Sequence, residues 1–582
     1  MDRKGIIAVA LSVLVLLIWQ IEYAPKFAPP TPPPGQTASG SPAASAAATA
    51  AASASTQTAT ALSAAPAPFS AAAATPAPAQ PKVPEQFTSV AGAAAQYRFT
   101  NLGGGISSAE LTGYPAESGS NVDLNEFGTL PIGAISEKPG EGGDFPYSVT
   151  RDGNNVLCVH DQPGGLSISK KFTLPASTQD AHGYGVKLDV SFTNHGAQPI
   201  SSQGYYLYVG SAHPVHQRDL PLYTAFDWYV QGAKASHIDV SWFNAGKIPL
   251  VGVETHPERP VYTADADKIG WAAINSQFFT TVVAPLDGAT GNSVWAHRLT
   301  VKLPDRDLLV IEGALRMPAF TVVPGQSVTQ SFRIYGGPKI YGVLKGLGDG
   351  QERILNFGIF SPVSVFLLSS MNQLHSWTGS YAIAIIILTL CIRGVLWPVQ
   401  NKATASMRQM QELQPRMTEL KEKYKDDPTR MNTEVMKLYK EYKVNPLAGC
   451  LPMFVQIPIF FGFYRMLGTA IELRNSKFLW VHDLSQPDTV FHVAGFPVNI
   501  LPICMAITMI IQMSMTPKTG DKSQQRMFMF MPLIFVMFCY NFASALALYW
   551  TVQNVFSIAQ LYVTRKRTAP APFKPPVKRK SR

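Results

Sequence analysis

Hydrophobic positions follow two different patterns in the two halves of this chain. Between residues 85 and 340, short runs alternate: in YGVKLDVSF, Val186, Leu188, Val190 and Phe192 share one face and the polar residues take the other. RLTVKL and SVTQSFRIY repeat this alternation, and Gly, Pro and Asn separate the runs. A period of two is typical of strands with one buried face. We therefore predict an all-β sandwich domain over 85–340.

The second half contains apolar stretches long enough to cross a bilayer. Candidate spans cover about 380–398, 447–468 and 498–516, and an uncharged run of about 38 residues extends from 527 to 564. One spanning helix needs about 20 residues, so we divide that run near 541–545 into two. With a further apolar stretch near the N-terminus, this predicts a membrane α-helical bundle of six transmembrane helices, five of them forming a core over 380–564.

The N-terminal apolar stretch is GIIAVALSVLVLLIWQI, within residues 1–24. A cleavable signal peptide is the alternative, but no small-residue cleavage site follows directly, and Trp19 suits a membrane interface. We interpret 1–24 as an uncleaved transmembrane signal anchor. Residues 25–84 are mostly Ala, Pro, Ser and Thr, which bury too little surface to offset chain entropy, so we predict a disordered linker there.

An amphipathic region, 341–379, precedes the first core span. Its stretch SPVSVFLLSSMNQLHSW begins with Ser361 as the predicted N-cap and Pro362 at the first helical position. Its apolar residues recur at helical spacing. This pattern predicts a helix that lies on the membrane surface.

A polar segment, 401–445, follows the first core span. Its Met and Leu residues step by three and four, which predicts amphipathic helices. DDPT at 426–429 predicts a turn, with Asp427 and Pro428 beginning the second helix. We predict an antiparallel helical hairpin.

The distribution of basic residues orients these segments. The formal net charge is +10, and the tail 565–582 has no acidic residue. With six helices, Arg3 and Lys4, the segment 401–445 and the tail all lie on one side. The positive-inside rule makes that side the cytoplasm. Both termini are then cytoplasmic, and the β domain faces the periplasm of a bacterium with two membranes, which places the chain in the inner membrane.

The first core span contains an arginine. AIAIIILTLCIRGVLWPVQ, residues 382–400, places Arg393 five residues before Pro398. Nine Ile, Leu and Val residues between 383 and 396 favour insertion by roughly 0.3–0.6 kcal/mol each, whereas a central Arg costs about 2.5–3.5 kcal/mol, so the helix inserts despite its charge. The alternative is that the Arg393 side chain only snorkels to the cytoplasmic interface and has no role in a site.

Other polar residues change the balance between these alternatives. Thr389 lies one turn from Arg393, and Gln456, Gln512, Gln553 and Asn554 fall at middle or cytoplasmic depth in three further spans. A single amide in a membrane helix usually makes a hydrogen bond between helices, but polar groups on four helices indicate a shared hydrated cavity. The outer halves, such as VNILPICMAI and LALYW, offer little to hydrate. We predict a groove open to the cytoplasm and closed toward the periplasm.

Such a groove suits the reception of another polypeptide. A polar stretch of a nascent membrane protein would enter it, and the apolar part would leave sideways into the lipid bilayer, which is downhill and needs no nucleotide. GxxxxGK, HExxH and GxSxG are absent from the sequence, and SAHPVHQRD, with His213 and His216, is the nearest approach to a metal motif. We predict no enzyme activity and no cofactor. The alternatives are a membrane-anchored periplasmic peptide-binding chaperone and a solute transporter.

Several segments carry a resemblance to a known family. TLCIRGVLWP, KVNPLAGCLPMFVQIPIFFGFYRML, ELRNSKFLWVHDLS and FMPLIFVMF resemble the bacterial members of the Oxa-type membrane protein insertases, over about 340–567. The resemblance implies that Arg393 lies in a hydrophilic groove of the inner leaflet, with Thr389 as a groove residue. It implies that Tyr549 and Trp550 correspond to an aromatic pair that contacts nascent chains, although family members tend to have Tyr at the second position.

The same resemblance implies partners for the cytoplasmic segments. It implies that the hairpin is needed for activity and that the basic tail assists contact with the ribosome. It also implies cooperation with the Sec translocon and the signal recognition pathway.

Overall fold

The computed structural model describes residues 83–567, except 118, 179, 218, 234, 248–253, 305, 443, 445–450 and 517–531. The predicted signal anchor, nearly all of the predicted linker and the tail beyond 567 lie outside the described residues.

The first half of the described chain folds as an antiparallel β-sandwich, as its alternation predicts. A four-stranded sheet has the order β1-β2-β3-β4 and contains β1 (Phe87–Ala91), β2 (Ala95–Thr100), β3 (Gly105–Pro115) and β4 (Asn121–Leu124). A thirteen-stranded sheet contains β5 (Ile135–Ser136), β6 (Ser148–Asp152), β7 (Asn155–Asp161), β8 (Leu166–Thr173), β9 (Gly185–Asn194), β11 (Tyr205–Ala212), β12 (Ala225–Val230), β13 (Ala235–Asp239), β16 (Val261–Asn275), β17 (Phe279–Pro285), β18 (Gly291–Lys302), β19 (Asp307–Met317) and β21 (Ser327–Pro338). Two-stranded ribbons pair β10 (Ile200–Ser202) with β20 (Phe320–Val322), β14 (Gly246–Lys247) with β15 (Glu254–His256), and β22 (Thr489–Val493) with β23 (Phe496–Asn499).

The core of the sandwich lies between the four-stranded sheet and the thirteen-stranded sheet. In β9 the predicted inward face is buried, with Val186, Leu188, Val190 and Phe192 almost fully covered. The large sheet runs in the order β5-β11-β19-β18-β16-β17-β21-β9-β8-β7-β6, with β12 and β13 branching from β16. Rings from both sheets meet edge to face, as Phe99 of β2 and Phe172 of β8 do at a centroid distance of 5.2 Å.

The second half is helical. Its helices are α1 (Tyr341–Gly346), α2 (Ser361–Thr378), α3 (Tyr381–Glu412), α4 (Gln414–Lys423), α5 (Pro428–Glu441), α6 (Leu451–Thr469), α7 (Ile500–Met515), α8 (532–539) and α9 (Ser544–Arg567). Helix α9 packs against α3, α6 and α7, and α2 packs against α3 and α6. The uncharged run from 527 is interrupted by a turn at 540–543, close to the predicted division.

Two predicted helix boundaries are wrong. The segment 401–445 does not begin with a new helix, because α3 continues without a break through Pro398 to Glu412. The first hairpin helix is instead divided at Leu413, and Pro415 lies in the first turn of α4, where its missing N–H costs no helical hydrogen bond. At α2, Ser361 is already helical, Phe360 occupies the N-cap position, and no side chain caps the helix.

Length and composition identify one spanning helix among the described residues. Helix α3 is long and apolar enough to cross a membrane, whereas the apolar helix α7 has only 16 residues. The first predicted span and the segment 517–531 are outside the described chain. The count of six transmembrane helices therefore stays a prediction.

The β domain contacts the ends of the core helices directly. Gln277 Nε2, in the loop before β17, donates to the Gly468 carbonyl in the last turn of α6 at 2.8 Å. The Arg474 guanidinium, just after α6, donates to the Pro115 carbonyl at the end of β3. A Cβ at Gly468 would lie 2.5 Å from Tyr223 Oη, so a larger residue would have to displace the Tyr223 side chain. This end of the bundle is the β-domain end.

Candidate functional site

The arginine of α3 lies on the interior face of the helix. Ile385, Thr389 and Arg393 follow each other at intervals of four residues and are all buried. The Thr389 hydroxyl donates to the Ile385 carbonyl at 2.7 Å. Arg393 is only 9% exposed, whereas Val395, on the other side of the helix, is 76% exposed. The guanidinium therefore faces the other helices and not the surrounding lipid.

Arg393 lies in the half of the bundle away from the β domain. It is twelve residues after Tyr381, roughly 18 Å along the helix, and the hydrocarbon core is about 30 Å thick. The Tyr549 hydroxyl is close enough to interact with it electrostatically. Among the described residues, no carboxylate lies within ion-pair distance of Arg393. Its positive charge is thus left without a counter-ion in this part of the chain.

A hydrogen-bonded amide cluster joins α6 to α9 beside this charge. Gln456 Nε2 donates to Tyr549 Oη at 3.1 Å and to Gln553 Oε1 at 3.2 Å. Tyr549 is buried and stacks on Phe463 at a centroid distance of 4.1 Å. Four of the predicted site residues therefore meet in one place: Arg393, Gln456, Tyr549 and Gln553.

The polar face continues from this cluster toward the hairpin end of the bundle. Gln553, Ser557 and Gln560 are buried and lie along one face of α9. Gln560 Nε2 donates to Asn401 Oδ1 of α3 at 3.0 Å. Sequence reasoning missed Ser557, Gln560 and Asn401. Their helical spacing from Gln553 and Arg393 was the available signal, but they lie close to the predicted ends of the spans.

The opposite half of the same interior is apolar. Toward the β-domain end, Phe463, Met466 and Leu467 of α6 are fully buried, and the first turn of α9 buries Ala545 and Leu546. These side chains belong to one continuous apolar core. The interior is therefore polar on one side of Tyr549 and mainly apolar on the other, where the buried hydroxyls of Ser364, Thr469 and Ser544 each donate to a main-chain carbonyl.

Three predicted site residues have other surroundings. Asn554 Nδ2 donates to Thr508 Oγ1 of α7 at 3.2 Å, so it connects α9 to α7. Trp550 packs on Phe460 and Phe535, at centroid distances of 4.9 and 4.5 Å. Gln512 lies half-buried in the last turn of α7 and makes no side-chain hydrogen bond to the Arg393 cluster within the described chain.

The histidines of the candidate metal motif contact different groups. His213 Nε2 lies 3.5 Å from Glu126 Oε2, and burial lowers the pKa of His213 to about 4. His216 Nδ1 lies 3.1 Å from Asp219 Oδ1 and 3.0 Å from Gln486 Nε2, which belongs to the segment after α6. Groups of three or more His, Cys, Asp and Glu side chains suited to a metal are absent from the described ranges.

The fold and site define a class of protein. A membrane-compatible helical core, a buried cation and a one-sided polar interior, joined to a large β-sandwich, indicate an integral membrane protein with an extramembrane domain.

Comparisons with known proteins identify the family within this class. The family model described as YidC periplasmic domain matches residues 89–369, and the one described as 60Kd inner membrane protein matches 373–571. The membrane protein insertase YidC of Syntrophus aciditrophicus (strain SB) is 32% identical, over 97% of this chain and 100% of that protein. The YidC of Geobacter sp. (strain M21) is 35% identical, over 76% of this chain and 75% of its own. A crystal structure described as an active YidC insertase with its first transmembrane domain resolved has a TM-score of 0.34 and 18% identity, covering 82% of this chain and 92% of that one.

The chain belongs to the YidC family of membrane protein insertases. This membership confirms the resemblance seen in the sequence. It identifies the β-sandwich as the family's periplasmic domain and the helical half as the family's inner-membrane part.

Proposed function

We propose that this protein inserts newly made inner-membrane proteins and acts as their chaperone, using the polar interior beside Arg393 as the receiving groove. The observation that carries the proposal is the burial of Arg393 on a polar face confined to one half of the bundle, without a counter-ion in the described chain. Such a charge is costly to bury unless something pairs with it. An acidic group of an entering client is a suitable partner.

The geometry supports a mechanism in which the client has a thinner hydrocarbon layer to cross. Polar side chains of α3, α6 and α9 line the half of the interior near the hairpin, so a polar client segment keeps hydrogen-bond partners there. Only the apolar half near the β domain remains to be crossed. The client's apolar segment then moves sideways into lipid, a transfer favourable by about 25 cal/mol per Å² of apolar surface, and nucleotide hydrolysis is not required.

The proposed topology has six transmembrane helices with both termini in the cytoplasm. Helix α3 supplies one span, and the positive-inside rule applied to 401–445 and the basic tail supports the orientation. Thr389 of α3, Gln512 of α7, and Trp550 and Asn554 of α9 belong to the groove lining in this proposal.

The proposed cytoplasmic partners are the ribosome and the Sec translocon. The hairpin formed by α4 and α5 supports ribosome contact, because it carries a folded apolar centre of Leu413, Tyr439 and Val444 and exposes charged side chains outward. The basic tail 565–582 suits an anionic surface such as ribosomal RNA.

The groove is tested by removing the positive charge of Arg393 while the helix stays intact. Arg393→Ala is expected to slow insertion of clients with acidic translocated segments about ten-fold, because a charge-assisted hydrogen bond is worth ~1.5–3 kcal/mol and 1.4 kcal/mol is a factor of ten. Arg393→Lys should retain more activity than Arg393→Ala. The measurement is insertion into vesicles or into depleted cells across a panel of clients.

The matched control is Val395→Ala, on the exposed face of the same helix, which should insert clients like wild type. Clients whose acidic residues are replaced by amides should lose their sensitivity to Arg393→Ala. Equal activity of Arg393→Ala and wild type across the panel would return Arg393 to the snorkelling interpretation and remove the groove mechanism.

A further inference from the structure

A small apolar ribbon projects from the core immediately before α7. Strands β22 and β23 pair with Val493 opposite Phe496, so only Ala494 and Gly495 form the turn. In β22, every residue from Val490 to Val493 is exposed, which means that both faces of the ribbon lack cover. Phe496, at the tip, is 73% exposed. A two-stranded ribbon with apolar groups on both faces is marginally stable in water.

The turn chemistry matches an apolar environment. Ala494 and Gly495 have φ values of +50° and +82°. Two-residue turns with positive φ at both positions favour Asn, Asp or Gly, since other side chains are strained there. Alanine accepts that strain and places no polar group at the tip.

A second apolar tip lies close to the base of the ribbon. Phe478 and Val481 form an isolated bridge, so Leu479 and Trp480 occupy another two-residue tip, and Leu479 is 75% exposed. Trp480 Nε1 donates to Asp488 Oδ2 at 3.0 Å, and the same carboxylate oxygen accepts from the Leu501 amide at 2.6 Å. The second tip is therefore fastened to the first turn of α7.

The ribbon is also fixed to the helices. Asn499 Nδ2 donates to the Tyr540 carbonyl at 2.7 Å, and Tyr540 Oη donates to the Pro497 carbonyl at 2.7 Å. Both contacts join the base of the ribbon to the turn between α8 and α9. The two tips are thus held at a defined height at the β-domain end of the bundle.

Helix length and charge indicate what covers these tips. Helix α7 has 16 residues, which span roughly 24 Å, against a hydrocarbon core of about 30 Å. With His492 neutral, the sequence contains no charged residue from Thr489 to Pro517, so the uncharged stretch begins eleven residues before the helix does. The ribbon occupies the part of this stretch that α7 leaves out.

We propose that the ribbon β22–β23, with the Leu479–Trp480 tip, is a lipid anchor that lies in the phospholipid interface on the β-domain side of the membrane. The bilayer covers the ribbon, because the ribbon is continuous with a membrane-embedded apolar helix that is too short to cross alone. The unpaired strand edges need water or head groups as partners, which keeps the ribbon at the interface and out of the hydrocarbon centre. Trp480 suits that depth. The inference requires a membrane-embedded core but not the client groove.

The test measures depth in liposomes that contain only this protein and phospholipid. In the full chain with all five cysteines replaced by alanine, a nitroxide is attached at Ala494→Cys after reconstitution in phosphatidylethanolamine and phosphatidylglycerol. The matched control is Asn154→Cys, in the two-residue turn between β6 and β7 of the β domain. We expect the ratio of oxygen to nickel-chelate collision rates to be several-fold higher at 494 than at 154.

Substitutions at the tip give a second measurement. Phe496→Asp should bring the label at 494 to the collision ratio of the label at 154, whereas Phe496→Leu should leave it unchanged. The anchor is excluded if the label at 494 in the parent chain meets the nickel chelate as freely as the label at 154 does; the apolar tips would then await a protein partner. This readout is independent of client insertion, so it separates the anchor from the groove.

Discussion

At the scale of single residues, two buried basic side chains differ in the partners that surround them. Lys170 Nζ donates to the carbonyls of Gly103 and Gly133 at 2.5 and 3.1 Å and lies 4.3 Å from the centroid of the Tyr147 ring. Arg393 has no comparable set of partners in the described chain. A buried cation needs such partners to offset its lost hydration. We therefore interpret Lys170 as a residue that stabilises the fold and Arg393 as a residue that binds a further partner.

Lys170 predicts a pH dependence of stability. Burial lowers the pKa of its ammonium to about 7, with a smaller opposing effect of Cys158. The unfolded side chain has a pKa near 10.4, so between about 7 and 10 the unfolded chain binds more protons and the free energy of unfolding rises with pH. In Lys170→Met this rise should be smaller. The measurement is the Tm of the full chain in detergent between pH 7 and pH 8.5.

The control for this prediction is Lys171→Met, since Lys171 is exposed on the same strand. It should keep the wild-type pH dependence. A Lys170→Met protein whose Tm responds to pH as wild type does would show that Lys170 carries no perturbed titration.

The sequence predicts which face such residues take but not what they meet. The alternation in LSISKKF places Leu166, Ile168, Lys170 and Phe172 on the inward face of β8, so the burial of Lys170 follows from the pattern. The carbonyls that receive its ammonium come from loops 37 and 67 residues away in the chain. No local pattern contains that information.

At the scale of elements, local turn chemistry determines the hairpin. Asp427 is the N-cap of α5, and its carboxylate accepts from the Arg430 amide at 2.9 Å, as DDPT predicts. Met417 of α4 and Tyr439 of α5 then meet, with the Tyr439 hydroxyl 3.2 Å from the Met417 sulfur. The division of the first hairpin helix depends equally on a local residue, Pro415, which helical spacing alone overlooks.

Asp427→Ala should loosen α5. Loss of an N-cap costs about 0.5–2 kcal/mol, and each kcal/mol corresponds to a factor of about five in the open population. Amides of Pro428–Glu441 should therefore exchange hydrogen several-fold faster, measured by mass spectrometry on the full chain. Asp426→Ala, which removes the neighbouring exposed carboxylate, should change the exchange little. Equal protection in both variants would mean that tertiary packing alone holds α5.

At the scale of the whole molecule, the β domain and the β-domain end of the helical core share one apolar interior, and the polar cluster beside Arg393 lies away from it. Gln277 and Arg474 join the two parts through main-chain carbonyls, while the amide cluster around Gln456 lies within the core helices. The proposed groove residues make their contacts among α3, α6, α7, α8 and α9. The polar contacts around Gln456 and Gln560 are therefore made without the sandwich.

Deletion of most of residues 85–330 should leave a folded core that still inserts small clients with one or two spans. The reason is that the contacts around Arg393, Tyr549 and Gln560 do not involve the β domain. The measurement is client insertion by vesicles containing the truncated chain. If insertion collapses while the core remains folded, the peptide-binding chaperone becomes the better account of the protein.

Topology at this scale is only partly readable from the sequence. The change from a period of two to long apolar runs separates the sandwich from the helices. The order of the large sheet, in which β16 pairs with β12, β17 and β18, depends on contacts between distant segments that no short window contains. The shortness of α7 was also hidden, since its uncharged sequence continues into the ribbon.

One consequence of the uninterrupted helix α3 concerns its internal proline. Pro398 has no N–H, so the carbonyl of Gly394, four residues earlier, loses its helical donor. That orphan acceptor is next in sequence to the strongest donor of the interior, the Arg393 guanidinium. Gly394 is exposed whereas Arg393 is buried, so the two groups lie on different faces of α3, and the free carbonyl is open to partners outside the bundle.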